Sequence, residues 1–459
     1  MKPAETPADI PAQSPAEHCA QSPADVPAQS PSDIPAQSPA EILAEAPWPA
    51  TDGAPRITRV RTFLCAPQGC PYLIVRVETN QPGLYGLGCA SDPQRTLAVR
   101  AVLDGYLGPL LAGREAGDIE DVHRLLTNSG YWRGGSIAGN ALAAIDVALW
   151  DIKAKVAGLP LYSLLGGRAR HGAEAYTHVD GVDPAEIADK VAAATEAGYR
   201  HVRVQVAVPG MDTYGTAPAD AADARRRAGR RGAWDALAYL RHVPPALVKV
   251  RQLVGTGVEL LHDAHERLSP SQARELVAAV TDAGLFFLED PLAPEDAGYF
   301  AQLRGAGPVP LAVGELYDDV TRYLPLLEQR AIDFARIRVP TLGGLTPTRK
   351  LVAACELFGV RTAPHGPGDV SPVAQAANVA LDVSSPCFGV QEAATFREAT
   401  LEVFPGAPVP VRGSLYPSSA PGLGVDFDEA AARRYPAPPP LVHDRWALLR
   451  GVDGAALRP

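Results

Sequence analysis

Val258-Glu259-Leu260-Leu261-His262-Asp263, Leu285-Phe286-Phe287-Leu288-Glu289 and Leu311-Ala312-Val313-Gly314-Glu315 share one plan: an apolar run of strand length that ends on a carboxylate. Asp263, Glu289 and Glu315 are 26 residues apart in both intervals, the length of one strand-and-helix unit. Strands this apolar belong in a parallel sheet covered on both faces. Working outward, strands are also expected at Glu174–His178, His201–Val206, Phe334–Val339, Val360–Pro364 and Cys387–Gln391. Helical stretches lie between them: Pro184–Ala197, Ser271–Ala283, Asp296–Arg304, Asp318–Arg330, Thr346–Phe358 and Pro372–Leu381. Eight strands alternating with helices form the pattern of a (β/α)-barrel. The other arrangement, an open doubly wound sheet, is weakened because no GxGxxG turn follows any strand.

Upstream, Ile57–Leu64, Tyr72–Glu78 and Gly83–Cys89 read as a three-stranded meander with Pro/Gly turns. Helices are expected at Gln94–Ala112, Asp118–Thr127 and Ser136–Ala157. Before them the tripeptide Gln-Ser-Pro begins at Gln13, Gln21, Gln29 and Gln37, among recurring prolines. Proline removes donors and fixes φ, and so little apolar surface cannot offset the entropy of ordering. The expected fold is therefore α/β, a (β/α)-barrel over 171–392 that follows a small α+β unit over 55–170 and a disordered Pro-rich tail over 1–54, with a C-terminal segment, 393–459, after it.

The chain has 42 basic and 52 acidic residues, a net charge of −10. That balance argues against nucleic-acid partners and against attraction to an anionic membrane. No run of about 18 apolar residues is present, and the start lacks the features of a signal peptide. Six irregularly spaced cysteines without a CxxC pair read as reduced thiols. A cytoplasmic enzyme acting on a small molecule is expected. One connection, Ala207–Gly257, is long for a compact domain, which marks it as functional or as an oligomer contact. It holds a helix, Trp234–His242, and an arginine cluster (Arg225, Arg226, Arg227, Arg230, Arg231) read as a solvated face.

In such a barrel the carboxyl ends of the strands face the active site. Three acids converging on one rim repel each other unless a cation sits among them, and all-oxygen ligation suits Mg²⁺. The competing explanation, a helix cap, is already supplied after the third strand by Ser269 with Gln272. His265, two residues beyond Asp263, faces the same side and is a candidate proton donor. His178, His365 and Glu392 end the first, seventh and eighth strands. On the second strand Arg203 and Gln205 share a face, and Tyr214 follows Pro209-Gly210. A neighbouring guanidinium lowers a phenol's pKa, so Arg203 and Tyr214 form either a base or part of a structural salt bridge, with Asp212 for example.

These residues resemble a family. Tyr131-Trp132-Arg133-Gly134-Gly135, Ala148-Leu149-Trp150-Asp151-Ile152-Lys153, Leu164-Leu165-Gly166-Gly167, His262-Asp263-Ala264-His265-Glu266-Arg267-Leu268, Glu289-Asp290-Pro291, Gly314-Glu315 and His365-Gly366-Pro367 are similar to the enolase superfamily, within it the mannonate dehydratase group. The resemblance runs from about Pro55 to the C-terminus. It implies a modified TIM barrel with the N-terminal α+β unit as its capping domain, completed by the C-terminal segment, and with Asp263, Glu289 and Glu315 as Mg²⁺ ligands. It further implies Arg203 and Tyr214 as the base, His265 as the acid, and His178, Gln205, His365, Asp369 and Glu392 as substrate contacts. The implied reaction is dehydration of mannonate, gluconate or a related aldonate to a 2-keto-3-deoxy acid. Epimerisation and non-catalytic metabolite binding are the alternatives, and a homo-oligomer is expected by analogy. The segment Cys89–Arg95, Pro364 before His365, and a terminus without tryptophan depart from the group's pattern and leave the aldonate open.

Overall fold

A computed structural model describes residues 51–211, 213–216, 233–439 and 449–458. The tail reading, up to residue 50, and the arginine cluster at 225–231 lie outside the described residues, as does Asp212.

The cap opens with β1 (Ile57–Cys65), β2 (Tyr72–Thr79) and β3 (Tyr85–Cys89), paired antiparallel in the order β1-β2-β3. The long helix Ser136–Val156 lies directly on β3. That approach needs glycine: a Cβ on Gly88 would fall 1.8 Å from the carbonyl oxygen of Ala144. The helix expected at Gln94–Ala112 is Thr96–Val102, a π-turn over Leu103–Leu107 and a 3-10 turn at Pro109–Leu111. Gly105, Gly108 and Pro109 weaken the α-helix where it changes.

The barrel strands are β4 (Ala173–Gly181), β5 (His201–Val206), β7 (Glu259–Asp263), β8 (Phe287–Glu289), β9 (Leu311–Val313), β10 (Phe334–Ala335), β11 (Arg361–Thr362) and β12 (Gln391–Glu392), with β6 (Ala233–Trp234) lying off the wall. Neighbours are parallel from β4 through β11, and β12 pairs with β4. The last gap closes because Thr362 N–H donates to Cys387 O at 2.9 Å and Gly389 N–H donates to Thr362 O at 2.8 Å. The later ladders are much shorter than the apolar runs that announced them. Main-chain bonds between neighbouring runs continue past these ladders towards the rim, as Arg336 N–H donates to Val313 O at 2.9 Å and His365 N–H to Ile337 O at 2.8 Å.

A plug of buried side chains fills the interior: Tyr176, Leu261, Phe287, Ala312, Phe334, Ala363 and Val390. Five of them stand two residues before Asp263, Glu289, Arg336, His365 and Glu392, so by strand alternation the polar set forms the next layer up. The Ser269–Gln272 capping box is present, with Ser269 N–H donating to Gln272 Oε1 at 3.0 Å. The helix expected at Trp234–His242 runs instead from Ala236 to Val254, through Pro244 and Pro245. Its packing on the helices Pro184–Glu196 and Pro270–Ala279 outweighs the broken hydrogen bonds.

The C-terminal part returns to the rest: β13 (Ser414–Leu415) pairs antiparallel with β4, and β14 (Arg450–Gly451) pairs parallel with β6. Cys65, Cys70, Cys89, Cys355 and Cys387 are free thiols. Among the described residues no helix is long and apolar enough to cross a membrane.

Candidate active site

Asp263, Glu289, Asp290, Glu315 and Glu392 are all buried at one end of the barrel, together with Arg203 and Arg336. If every group is ionised, five carboxylates face two guanidiniums, an excess of three negative charges away from water. Arg336 is wholly enclosed. Its Nε donates to Glu289 Oε1 at 2.5 Å and its Nη2 to Glu392 Oε2 at 2.7 Å, while its Nη1 donates to Ala363 O at 2.8 Å. Arg203 Nη1 lies 3.3 Å from Asp263, 3.4 Å from Glu392 and 3.8 Å from Glu289.

Within this set, Glu289, Asp290 and Glu315 each offer an oxygen, all within 4.8 Å of one another. Glu289 Oε2 and Asp290 Oδ2 are buried without a hydrogen-bond donor. Burial first, then the neighbouring carboxylates, push the Glu315 and Asp290 carboxyls well above the usual range. Buried acids raised in this way are the donor set that a hard divalent cation stabilises. Asp263 stands beside this set: its Oδ1 accepts the His265 N–H at 2.8 Å, and its Oδ2 meets the same Arg203 Nη1 that lies 3.8 Å from Glu289 Oε2. Of the three expected ligands the structure thus brings together Glu289 and Glu315, adds Asp290, and engages Asp263 with the guanidinium.

The proton-transfer candidates meet over this layer. The rings of Tyr214 and His265 stack with centroids 3.3 Å apart and planes 7° apart. The Arg203 guanidinium carbon is 5.8 Å from the Tyr214 ring centre. Part of Tyr214 remains accessible, yet desolvation by the surrounding wall is the largest influence and holds its phenol well above the ordinary value. Arg203 is the strongest force in the other direction, which corrects the expectation of a net depression. Burial likewise lowers His265, and Asp263 is the group that pulls it back towards the imidazolium.

His178 Nε2 sits 2.9 Å from Glu392 Oε1, and His365 Nε2 3.6 Å from Glu315 Oε2. Gln205 Nε2 donates to Asp263 O at 3.0 Å. Asp369 Oδ2 is 3.4 Å from Arg338, and its Oδ1 is buried without a donor. His265, Glu266 and Asp290 all hold positive φ values, 53°, 55° and 38°. Such backbone, costly for residues with a Cβ, gathers at this rim.

Residues 186–431 match the family model for the enolase C-terminal domain-like fold. Residues 52–166 match the N-terminal domain of mandelate racemase and muconate lactonizing enzyme. The chain belongs to the enolase superfamily, in its acid-sugar dehydratase group. A D-galactonate dehydratase family member of Streptomyces sp. (strain SPB78) is 76% identical over 404 residues, covering 88% of this chain and 91% of the relative. Another, from Salmonella enteritidis PT4, is 43% identical, covering 88% and 99%. The crystal structure of an enolase from Pantoea ananatis with bound D-gluconate and Mg is 41% identical, with a TM-score of 0.81, covering 88% of this chain and all of that one. The Streptomyces and Salmonella relatives are named for the D-galactonate dehydratase family, whereas the sequence resemblance points to mannonate dehydratase.

In this enolase-superfamily chain, sequence reasoning missed Arg336, Arg338 and Asp290. The two arginines stand at alternate positions in the apolar run Phe334–Val339, the same pattern that exposed Arg203 and Gln205. Asp290 carried no periodic signal, because it falls one residue out of step with Glu289.

Proposed function

We propose that the chain dehydrates a sugar acid of the aldonate class to a 2-keto-3-deoxy acid, with Mg²⁺ as its cofactor. The observation that carries this reading is the excess of buried carboxylate at the barrel's carboxyl end, faced by a phenol–guanidinium–imidazole group. The Pantoea structure with D-gluconate and Mg supports it. Asp263, Glu289 and Glu315 would hold the cation, with Asp290 beside them. When bound, the cation neutralises charge that develops on the substrate carboxylate as the C2 proton leaves.

The chain's own residues do the rest. Tyr214 takes the C2 proton, and Arg203 favours the phenolate by its charge. His265 protonates the departing 3-hydroxyl, with Asp263 holding its main-chain N–H through Oδ1 and standing 3.5 Å from its ring Nδ1 through Oδ2. Glu392, kept ionised by Arg336, His178 and Arg203 despite its burial, orients His178 at the mouth. Glu315 and His365 face each other across the site.

The test is a panel of aldonates incubated with the full chain and Mg²⁺, with and without chelator, read as 2-keto-3-deoxy product. Product from at least one aldonate, abolished by chelator, is expected; none from the whole panel overturns the reading. Deuterium entering C2 without loss of water would assign epimerisation instead.

A further inference from the structure

Arg338 lies two residues beyond Arg336 on the run that continues β10, and only 9% of its side chain is exposed. Its Nη2 donates to Ser91 O at 3.0 Å and lies 3.4 Å from Asp369 Oδ2. Ser91 is buried in the cap segment between β3 and the helix Thr96–Val102, where its Oγ accepts the Leu73 N–H at 3.2 Å. The turn that carries Asp369 is also gripped by the cap. Tyr72 OH donates to Gly368 O at 2.7 Å and Gln68 Nε2 to the same oxygen at 3.2 Å. One guanidinium therefore joins the end of the sixth barrel strand, the cap loop and the turn after the seventh strand.

We propose that Arg338 is a positioning residue that closes the cap segment Cys89–Arg95 onto Asp369, and that the Arg338–Asp369 pair reads the hydroxyls at the far end of the sugar-acid chain. The substrate half of this inference rests on the dehydratase reading; the closure half does not. A guanidinium only donates and a carboxylate only accepts, whereas adjacent hydroxyls do both. The pair presents one of each, with Asp369 Oδ1 buried and lacking a donor. Taken together the pair is neutral, so a second carboxylate at that end gains no net attraction. It therefore fits an uncharged polyol tail, that of an aldonate rather than a diacid. Because Arg338 holds a main-chain carbonyl, the closure depends on the course of the loop and not on the side chain at position 91.

The experiment compares wild type with Arg338→Met and Arg338→Lys in the full chain. Amide hydrogen exchange at residues 89–95 and 366–370 is measured without substrate. KM and kcat are then measured with Mg²⁺ for a four-carbon and a six-carbon aldonate. Arg338→Met should speed exchange in both segments by about tenfold, the scale of one lost charge-assisted hydrogen bond. Exchange in the helix Leu345–Phe358 should not change, and Arg338→Lys should recover part of the protection. KM for the six-carbon acid should rise by about tenfold while the four-carbon acid stays within about twofold and kcat moves little. Unchanged exchange in both segments overturns the closure, and an equal rise in KM for both acids overturns the reading of the tail. Should Arg338→Met not fold, Arg338→Lys alone decides, since loosening of both segments is still required of it. If wild type turns over no aldonate, the dehydratase reading and the tail reading fall together, and exchange still decides the closure.

Discussion

Glu315 is a carboxyl that its surroundings would rather see protonated. Burial, Asp290 and Glu289 all raise it, and only Arg336 opposes them strongly. Glu315→Gln removes one of the crowded charges at little change in volume. We expect its melting temperature in chelator to match or exceed that of wild type, because the repulsion is gone. Turnover should fall by about a hundredfold or more, because one oxygen donor to the cation is lost. Scanning calorimetry and a product assay on the same sample check both halves. Tyr214→Phe keeps the stacked ring on His265 but has no hydroxyl to ionise. Its kcat should drop by about a hundred- to ten-thousandfold, with substrate affinity little changed, as measured by single-turnover kinetics and equilibrium binding. At this scale the sequence was most legible where a period could be counted. Asp263, Glu289 and Glu315 repeat at one interval, and Arg203 with Gln205 share a strand face. Asp290 escaped because its place in the site comes from a backbone turned to positive φ, which no spacing reveals.

Two contacts between elements carry predictions of their own. The helix Ser136–Val156 meets β3 so closely that Gly88→Ala would drive a methyl into the carbonyl of Ala144. A loss of about 3 kcal/mol or more is expected in denaturant unfolding. The same helix reaches the barrel through Asp146, whose Oδ2 accepts the Thr346 N–H at 2.9 Å. Burial pushes the Asp146 carboxyl up to about 7. The folded chain therefore keeps this proton up to about pH 7, while the unfolded chain releases it near pH 4. The native state binds more protons across that window, so this group's contribution to stability falls as pH rises from about 4 to about 7 and is level above. Asp146→Asn lacks the titration but keeps an acceptor. Its melting temperature relative to wild type should rise across the same window and then hold constant, as calorimetry from pH 4 to pH 8 would show.

Across the whole molecule, a cation that binds only the folded form stabilises it by mass action, by about 2.7 kcal/mol at a hundred times its dissociation constant. Thermal unfolding of the full chain should move up by a few degrees as Mg²⁺ is titrated in, then saturate. The shift should be absent in Glu289→Gln. The barrel and its cap were legible because alternation of apolar runs with helical ones is a property of the entire chain. Less legible was how short the regular ladders of β10, β11 and β12 are. Apolar composition reports burial, and these segments are buried by the plug and the polar layer as much as by the sheet.

Arg336 has a bearing on how such a molecule comes to be made. It never gives up its proton, and the carboxylates nearest to it are contributed from Glu289, Glu315 and Glu392. A chain emerging from the ribosome delivers the first two before the arginine itself, but the third only fifty-six residues after it. Until then the half-built cylinder holds a cation short of its closest counter-ion but one. The final stave therefore completes the hydrogen bonding of Arg336, yet it brings one more negative charge to an interior that already sets four carboxylates against two guanidiniums, so the surplus that a divalent ion would answer reaches its full size only when the cylinder closes.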